Sequence, residues 1–317
     1  MKKMNKNFNL TLLLIVVSIT NMFGQQDAMN SQYVMNKLFI NPAYAGYKEQ
    51  PTFVAMHRSQ WVGFKGAPTT QVLSFDTPLK KQEFAVGGTL YHDKTGPISR
   101  IALTGDFAYR MRLSNRATMC FGMKFTGEIY QANLTDLALN SDYTYQADEA
   151  FMYNTKGLVL PNVGFGMYYH QKGHYFGISI PKILSNKLEK KGTNAYQVLD
   201  GRQAPTLIIT AGKIWKVNRQ VRVQPNLVIR AVQNAPVSTG LYFNVIILDQ
   251  FTVGAYSYVT ENAGLILQWQ LNKQFRMGYG FDVATSNLIT TNLGSHELSA
   301  SFMLPTKKKR IIYPRYF

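Results

Sequence analysis

The chain has 317 residues, a formal net charge of +17 and a single cysteine, Cys120. One thiol excludes an intrachain disulfide and a cysteine-based metal cluster. A basic excess is typical of nucleic-acid binders, but the export signal described next makes nucleic acid a poor expectation. We expect an anionic lipid surface or an acidic partner instead.

Residues 1–24 predict a secretory signal peptide. Three lysines precede an apolar run from Phe8 to Ile19, and a small residue lies near the expected cleavage position. The run is too short and too early in the chain for a stable membrane helix. Its removal takes away three lysines and no acid, which leaves a net charge of +14. No later stretch of about 18 apolar residues predicts a transmembrane helix.

Residues 25–50 predict a leader that is periplasmic or packs against the fold. Its apolar and aromatic side chains need a surface to cover, which the strands after it would supply. Asn41-Pro42 and the later Gly46 indicate a turn, because proline keeps the preceding residue out of the helical region. We expect Asn41 to Gly46 to pack into or under the periplasmic mouth of that fold.

Residues 51–305 read as one strand after another. Apolar and polar residues alternate with a period of two, which places them on opposite faces of a strand. Ile101, Leu103 and Phe107, for example, alternate with Thr104, Asp106 and Arg110. The pattern predicts fourteen strands, at 52–60, 69–79, 84–92, 98–112, 116–130, 162–171, 174–181, 205–216, 220–231, 237–248, 251–260, 263–272, 275–285 and 295–304.

Three features favour a membrane barrel over a soluble sandwich. The strands are long enough to cross a bilayer at a tilt, and charged residues recur on the less apolar face, as in a polar lumen. Links after odd-numbered strands tend to be long and those after even-numbered strands are short, as in outer-membrane barrels. The sequence therefore predicts an all-β, antiparallel outer-membrane barrel with short periplasmic turns and longer extracellular loops.

Two regions fall outside these strands. Residues 135–157 form a locally acidic loop that includes Tyr143 and Tyr145 and is expected on the extracellular side. Such a cluster is ordinarily a solvated loop, although it could bind a metal or a basic partner. The basic and aromatic tail, residues 306–317, is expected in the periplasm, either as a contact or as a frayed terminus.

The sequence offers little evidence of motifs for catalysis or cofactor binding. The sequence has no Walker A loop, GxSxG elbow or HExxH motif, and we expect no enzyme activity, cofactor or metal site. His170 and His174 flank a tight turn and could meet across it, but a third metal ligand is not evident. A Ser/His hydrolase using His57 or His296 stays open as a minor alternative.

The N-terminal stretch carries a resemblance to a known family. Asn41, Pro42, Tyr44 and Gly46, followed by His57-Arg58-Ser59-Gln60-Trp61, resemble the motif of the PorP/SprF family. His296-Glu297-Leu298-Ser299 looks like the beginning of that family's last strand.

The resemblance implies a fourteen-stranded, non-enzymatic barrel of the type IX secretion system and gliding machinery of Bacteroidetes. It implies binding or surface anchoring of a secreted adhesin-type protein through its C-terminal signal domain. Implied partners include periplasmic ring or peptidoglycan-binding components, besides outer-membrane lipid and lipopolysaccharide. A passive, porin-like channel is the alternative, because arginines and lysines lie on the predicted lumen face.

Four residues are expected to contact a partner. Arg58 and Trp61 lie at the extracellular end of the first strand, and both residue types are frequent binding anchors. Tyr143 and Tyr145 are candidates in the acidic loop.

Overall fold

The structure is a computed structural model that describes residues 31–80, 83–133, 154–188, 202–233, 235–259, 261–285 and 292–305. The predicted signal peptide, residues 25–30, the tail 306–317, Tyr143 and Tyr145 lie outside the described residues. No helix in the described part of the chain is long and apolar enough to cross a membrane.

Fourteen antiparallel strands form one closed sheet, which confirms the predicted barrel. They are β1 (Thr52–Ser59), β2 (Thr69–Pro78), β3 (Phe84–Thr95), β4 (Ile98–Arg112), β5 (Ala117–Ala132), β6 (Thr155–Gln171), β7 (His174–Ile180), β8 (Thr206–Lys213, continued as Trp215–Lys216), β9 (Val221–Val232), β10 (Ser238–Ile247), β11 (Phe251–Tyr258), β12 (Asn262–Gln270), β13 (Phe275–Ala284) and β14 (Ser295–Met303). Each strand pairs with the next, and β14 pairs with β1 to close the ring. Closure satisfies the backbone groups that an open edge would expose to lipid.

The strand boundaries agree closely with the alternation, except at β6. This strand is predicted to begin at 162 but begins at Thr155. Pro161 weakens the strand signal of this stretch, because proline cannot donate to the hydrogen-bond ladder of a sheet. In the structure Pro161 lies opposite Gly127 of β5 with its ring exposed on the outer face.

The outer wall is apolar and the inner wall is polar. Leu103, Leu265 and Leu298 point outward and are more than half exposed, as expected of side chains that face lipid. Links after even-numbered strands are tight, so their end of the barrel is called the periplasmic end. The opposite end, with the links 60–68, 133–154, 181–205 and 285–294, is called the extracellular end.

Residues 31–50 lie inside the barrel and are called the plug segment. A short helix, α1 (Lys37–Ile40), is followed by a 3-10 helix at Pro42–Tyr44. The Asn41 side chain accepts a hydrogen bond from the Ala43 backbone N–H at 2.9 Å, and proline occupies the first helical position, so Asn-Pro starts this turn. The segment begins at the extracellular end of the lumen, beside Glu297, and descends to the beginning of β1. The buried core lies between it and the wall.

Candidate functional site: the plugged lumen

The extracellular end of the plug segment is held by four buried side chains, called the arginine cluster: Ser31, Arg58, Asp282 and Glu297. Arg58 Nη1 lies 2.8 Å from Asp282 Oδ2 and 3.4 Å from Glu297 Oε2, and it also donates to Ser31 Oγ. The backbone N–H groups of Ser31 and Gln32 donate to the two Glu297 carboxylate oxygens at 2.7 and 2.9 Å. One carboxylate of the last strand therefore binds both the arginine of the first strand and the plug segment.

The middle of the plug segment is fixed through its backbone carbonyls. The last carbonyls of a helix have no partner within the helix. Lys124 Nζ of β5 donates to the carbonyl oxygens of Leu38 and Phe39 at 3.1 and 3.3 Å. Ser179 Oγ of β7 donates to the carbonyl oxygen of Ile40 at 2.7 Å. The barrel wall thus supplies the hydrogen bonds that end helix α1.

Two wall glycines make room for the Asn41-Pro42-Ala43 turn. A Cβ atom at Gly166 of β6 would overlap the Asn41 side chain. A Cβ atom at Gly122 of β5 would overlap the backbone of Pro42 and Ala43. Asn41 Nδ2 also donates to the carbonyl oxygen of Met167 at 3.1 Å, so the turn and the wall are in direct contact.

At the periplasmic end the plug segment returns to the wall before β1 begins. Gly46 has a positive φ of 67°, which glycine adopts without strain, and its N–H donates to Asp76 Oδ2 at 2.8 Å. Glu49 lies 3.5 Å from Arg110 of β4. The segment is therefore bound at both ends and in the middle.

The plug segment occupies much of the described lumen. Above helix α1 a cavity of about 80 Å³ remains, bordered by Phe39, Ile40 and Lys182. This volume holds a few water molecules. Polar contacts with the wall therefore hold the plug segment in the lumen.

The structure places the resembling motif in two settings. Asn41, Pro42, Tyr44 and Gly46 belong to the plug segment, and Tyr44 is buried against Tyr168 of the wall at a ring-centroid distance of 5.5 Å. His57 instead lies on the outer face of β1.

The residues that were expected to contact a partner also lie in different surroundings. Arg58 is 2% exposed and bonded within the arginine cluster, so this conformation offers none of its guanidinium to an external partner. Trp61 lies in the link 60–68, partly exposed and with a φ of 44°. Its role as a partner contact stays a prediction, as do those of Tyr143 and Tyr145.

Three further residues complete the site: Asp282, Lys124 and Ser31. They were absent from the candidate site residues that the sequence suggested. Strand parity carried a signal for two of them, because Asp282 shares the inward parity of Gly280 on β13 and Lys124 that of Gly122 on β5. Ser31 carries no such signal, since it precedes the first strand.

The structure gives little support to the two alternatives based on histidine, a metal site and a Ser/His hydrolase. His170 faces the lumen and packs on Tyr47, whereas His174 is exposed on the outer face, so the two do not meet. Among the described residues, no group of three His, Cys, Asp or Glu side chains could hold a metal. His57 Nε2 lies 3.2 Å from Ser59 Oγ, but the Gln71 amide donates to His57 Nδ1. The Gln71 amide therefore occupies the position that a carboxylate takes in a Ser-His-Asp triad.

The solved structures that match this chain include a hydrocarbon channel, an outer membrane protein and a FadL homologue. The CymD monoaromatic hydrocarbon channel matches with a TM-score of 0.50 at 9% identity, over 90% of this chain and 96% of its own. Omp33 of Acinetobacter baumannii matches with a TM-score of 0.46 at 7% identity, over 81% of this chain and 100% of its own. A FadL homologue of Pseudomonas aeruginosa matches with a TM-score of 0.45 at 11% identity, over 89% and 96%. Such identities show the fold alone.

The family comparison extends over nearly the whole chain. A search of curated proteins found no match. The model of one family, described as type IX secretion system membrane protein PorP/SprF, matches residues 22–302. These include the plug segment and the fourteen strands except the last residue of β14. This outer-membrane barrel therefore belongs to the PorP/SprF family of type IX secretion system membrane proteins.

Proposed function

We propose that this barrel binds a secreted, adhesin-type protein through its C-terminal signal domain and anchors it at the cell surface. It would thereby support secretion of that protein or gliding motility, without enzymatic activity. The observation that carries the proposal is the plug segment, which fills the lumen and is bonded from the arginine cluster to Asp76. A barrel filled by its own chain is suited to act through its outer surfaces.

An exposed apolar surface at the extracellular end supports this role. The links 60–68 and 285–294 are joined by two backbone hydrogen bonds, from Val62 N–H to Gly294 O at 2.8 Å and from Leu293 N–H to Val62 O at 2.9 Å. Phe64 is 54% exposed and Leu293 is 73% exposed beside Trp61. Exposed apolar side chains of this kind mark interaction sites, and tryptophan is a frequent anchor in them.

The proposal predicts that the triple variant Trp61→Ala, Phe64→Ala, Leu293→Ala loses surface display of the secreted protein. Removal of three anchors should reduce the amount on intact cells at least about tenfold. Antibody staining of whole cells, with a gene-deletion strain as the zero point, measures display. Co-purification from solubilised outer membranes then identifies the bound protein and its secretion-system partners.

The control is Val217→Ala, Leu248→Ala, which removes exposed apolar side chains from periplasmic turns. It should leave display unchanged. A triple variant that is folded, as judged by heat-modifiable gel mobility, and that displays the protein at the wild-type level contradicts the proposed surface. Normal display in the deletion strain contradicts the anchoring function itself.

A further inference from the structure

The outer face of β1–β4 changes from apolar to polar toward the extracellular end. On β3 the successive outward positions are Leu90, His92 and Lys94, with Leu90 almost half exposed and Lys94 exposed. At about 3.3 Å per residue, the surface passes from hydrocarbon to ammonium within about 13 Å. The neighbouring strand β2 has the same order, from Leu73 to Gln71.

A row of hydrogen bonds joins the polar side chains of these strands. Gln71 Nε2 of β2 donates to His57 Nδ1 of β1 at 3.4 Å, and His92 Nδ1 of β3 donates to Gln71 Oε1 at 2.7 Å. His92 Nε2 lies 3.3 Å from Ser99 Oγ of β4. Polar groups are costly in hydrocarbon unless they are paired. This row, called the histidine row (His57, Gln71, His92 and Ser99), therefore lies where the hydrocarbon layer ends.

Two lysines stand above the histidine row. The backbone N–H of Gly96 donates to the carbonyl oxygen of Gly66 at 2.9 Å, which holds the link carrying Lys65 against the turn that follows Lys94. Both lysines are exposed, and neither forms an ion pair with a described residue. The nearby carboxylate of Asp93 faces the lumen, where Thr70 donates to it at 2.6 Å. Two cations that no acid of the described residues pairs with therefore lie at the level of the lipid headgroups.

We infer that this face is a binding site for lipid A, the phosphorylated glycolipid of the outer leaflet. Its acyl chains would lie along Leu73 and Leu90, its amide and hydroxyl groups would meet the histidine row, and a phosphate would meet Lys65 and Lys94. The three layers of the protein follow the same order as the three layers of the lipid. Lysine binds phosphate as a point charge through charge-assisted hydrogen bonds.

Native mass spectrometry of the purified full-length barrel tests the site. Wild-type protein should retain diphosphoryl lipid A and bind dephosphorylated lipid A at least about tenfold more weakly, because two charge-assisted hydrogen bonds are lost. The variant Lys65→Gln, Lys94→Gln should lose affinity for diphosphoryl lipid A by a similar factor. His92→Leu should weaken binding of both forms of lipid A.

The matched control is Lys172→Gln, His174→Leu, which removes an exposed lysine and an outward histidine at the periplasmic end. Its affinity should equal that of the wild type. Equal binding by Lys65→Gln, Lys94→Gln and wild type overturns the proposal. So does equal binding of phosphorylated and dephosphorylated lipid A. Equal affinity for phosphatidylglycerol would overturn the assignment to lipid A, since the site would then select any anionic phospholipid. Heat-modifiable gel mobility shows that each variant is folded before it is compared.

Discussion

Arg58 illustrates how strand parity can indicate the face on which a side chain lies without indicating what surrounds it. Its strand parity with Val54 and Met56 places it on the inner wall. In an open barrel an inward arginine near the end of a strand would be reachable from outside. Here the plug segment fills the lumen, so Arg58 is buried with Asp282 and Glu297. Parity was predictable from the sequence, whereas the pairing depends on strands more than 200 residues away.

Arg58→Ala should destabilise the barrel strongly, because it leaves two buried carboxylates without their cation. Breaking a buried ion pair from one side costs about 3–5 kcal/mol. The temperature at which heat-modifiable mobility is lost should fall clearly. Arg222→Ala is the control, since its partner Asp249 is partly exposed at a periplasmic turn and such pairs contribute about 1 kcal/mol or less. Equal losses in both variants would contradict the role of the arginine cluster.

At the scale of elements, the strands were predictable and the plug segment was only partly so. Period-two alternation fixes a strand from local residues, which is why thirteen of the predicted strands begin within a few residues of the observed ones. The Asn41-Pro42 turn was predicted from local backbone chemistry as well. Its contacts with Gly122 and Gly166 were not predicted, because these glycines belong to distant strands. The expectation at the periplasmic mouth covered Asn41 to Gly46, whereas the residues before them extend up to Glu297.

Gly122→Ala and Gly166→Ala should displace the plug segment and open the lumen. Each added methyl group overlaps the Asn41-Pro42-Ala43 turn, and such overpacking costs about 1–3 kcal/mol. In planar bilayers the wild type should be electrically silent, whereas the variants should show conductance. Gly105→Ala and Gly127→Ala are the controls, because no atom lies within 4 Å of the added Cβ. Conductance of the wild type would instead favour the channel alternative.

At the scale of the whole molecule, the orientation in the membrane follows from link lengths and can be tested with the single native cysteine in place. Cys120 is 1% exposed, so it should not react with a membrane-impermeant maleimide. Lys65→Cys should be labelled on intact cells, because the link 60–68 is extracellular. Lys172→Cys, in a periplasmic turn, should be labelled only after the outer membrane is permeabilised. The reverse pattern would show the opposite orientation, and it would contradict both the extracellular docking surface and the lipid A site.

The bond between Ser31 and Glu297 has a consequence for biogenesis. The two residues are 266 positions apart, and Glu297 lies on the last strand to be synthesised. The N-terminal segment therefore cannot complete its contacts until β14 has joined β1, however early it emerges from the export machinery. The plug segment is therefore fully bound only when the barrel is completely assembled. A chain arrested before its final strand would leave an intermediate in which the plug segment is not held at Glu297.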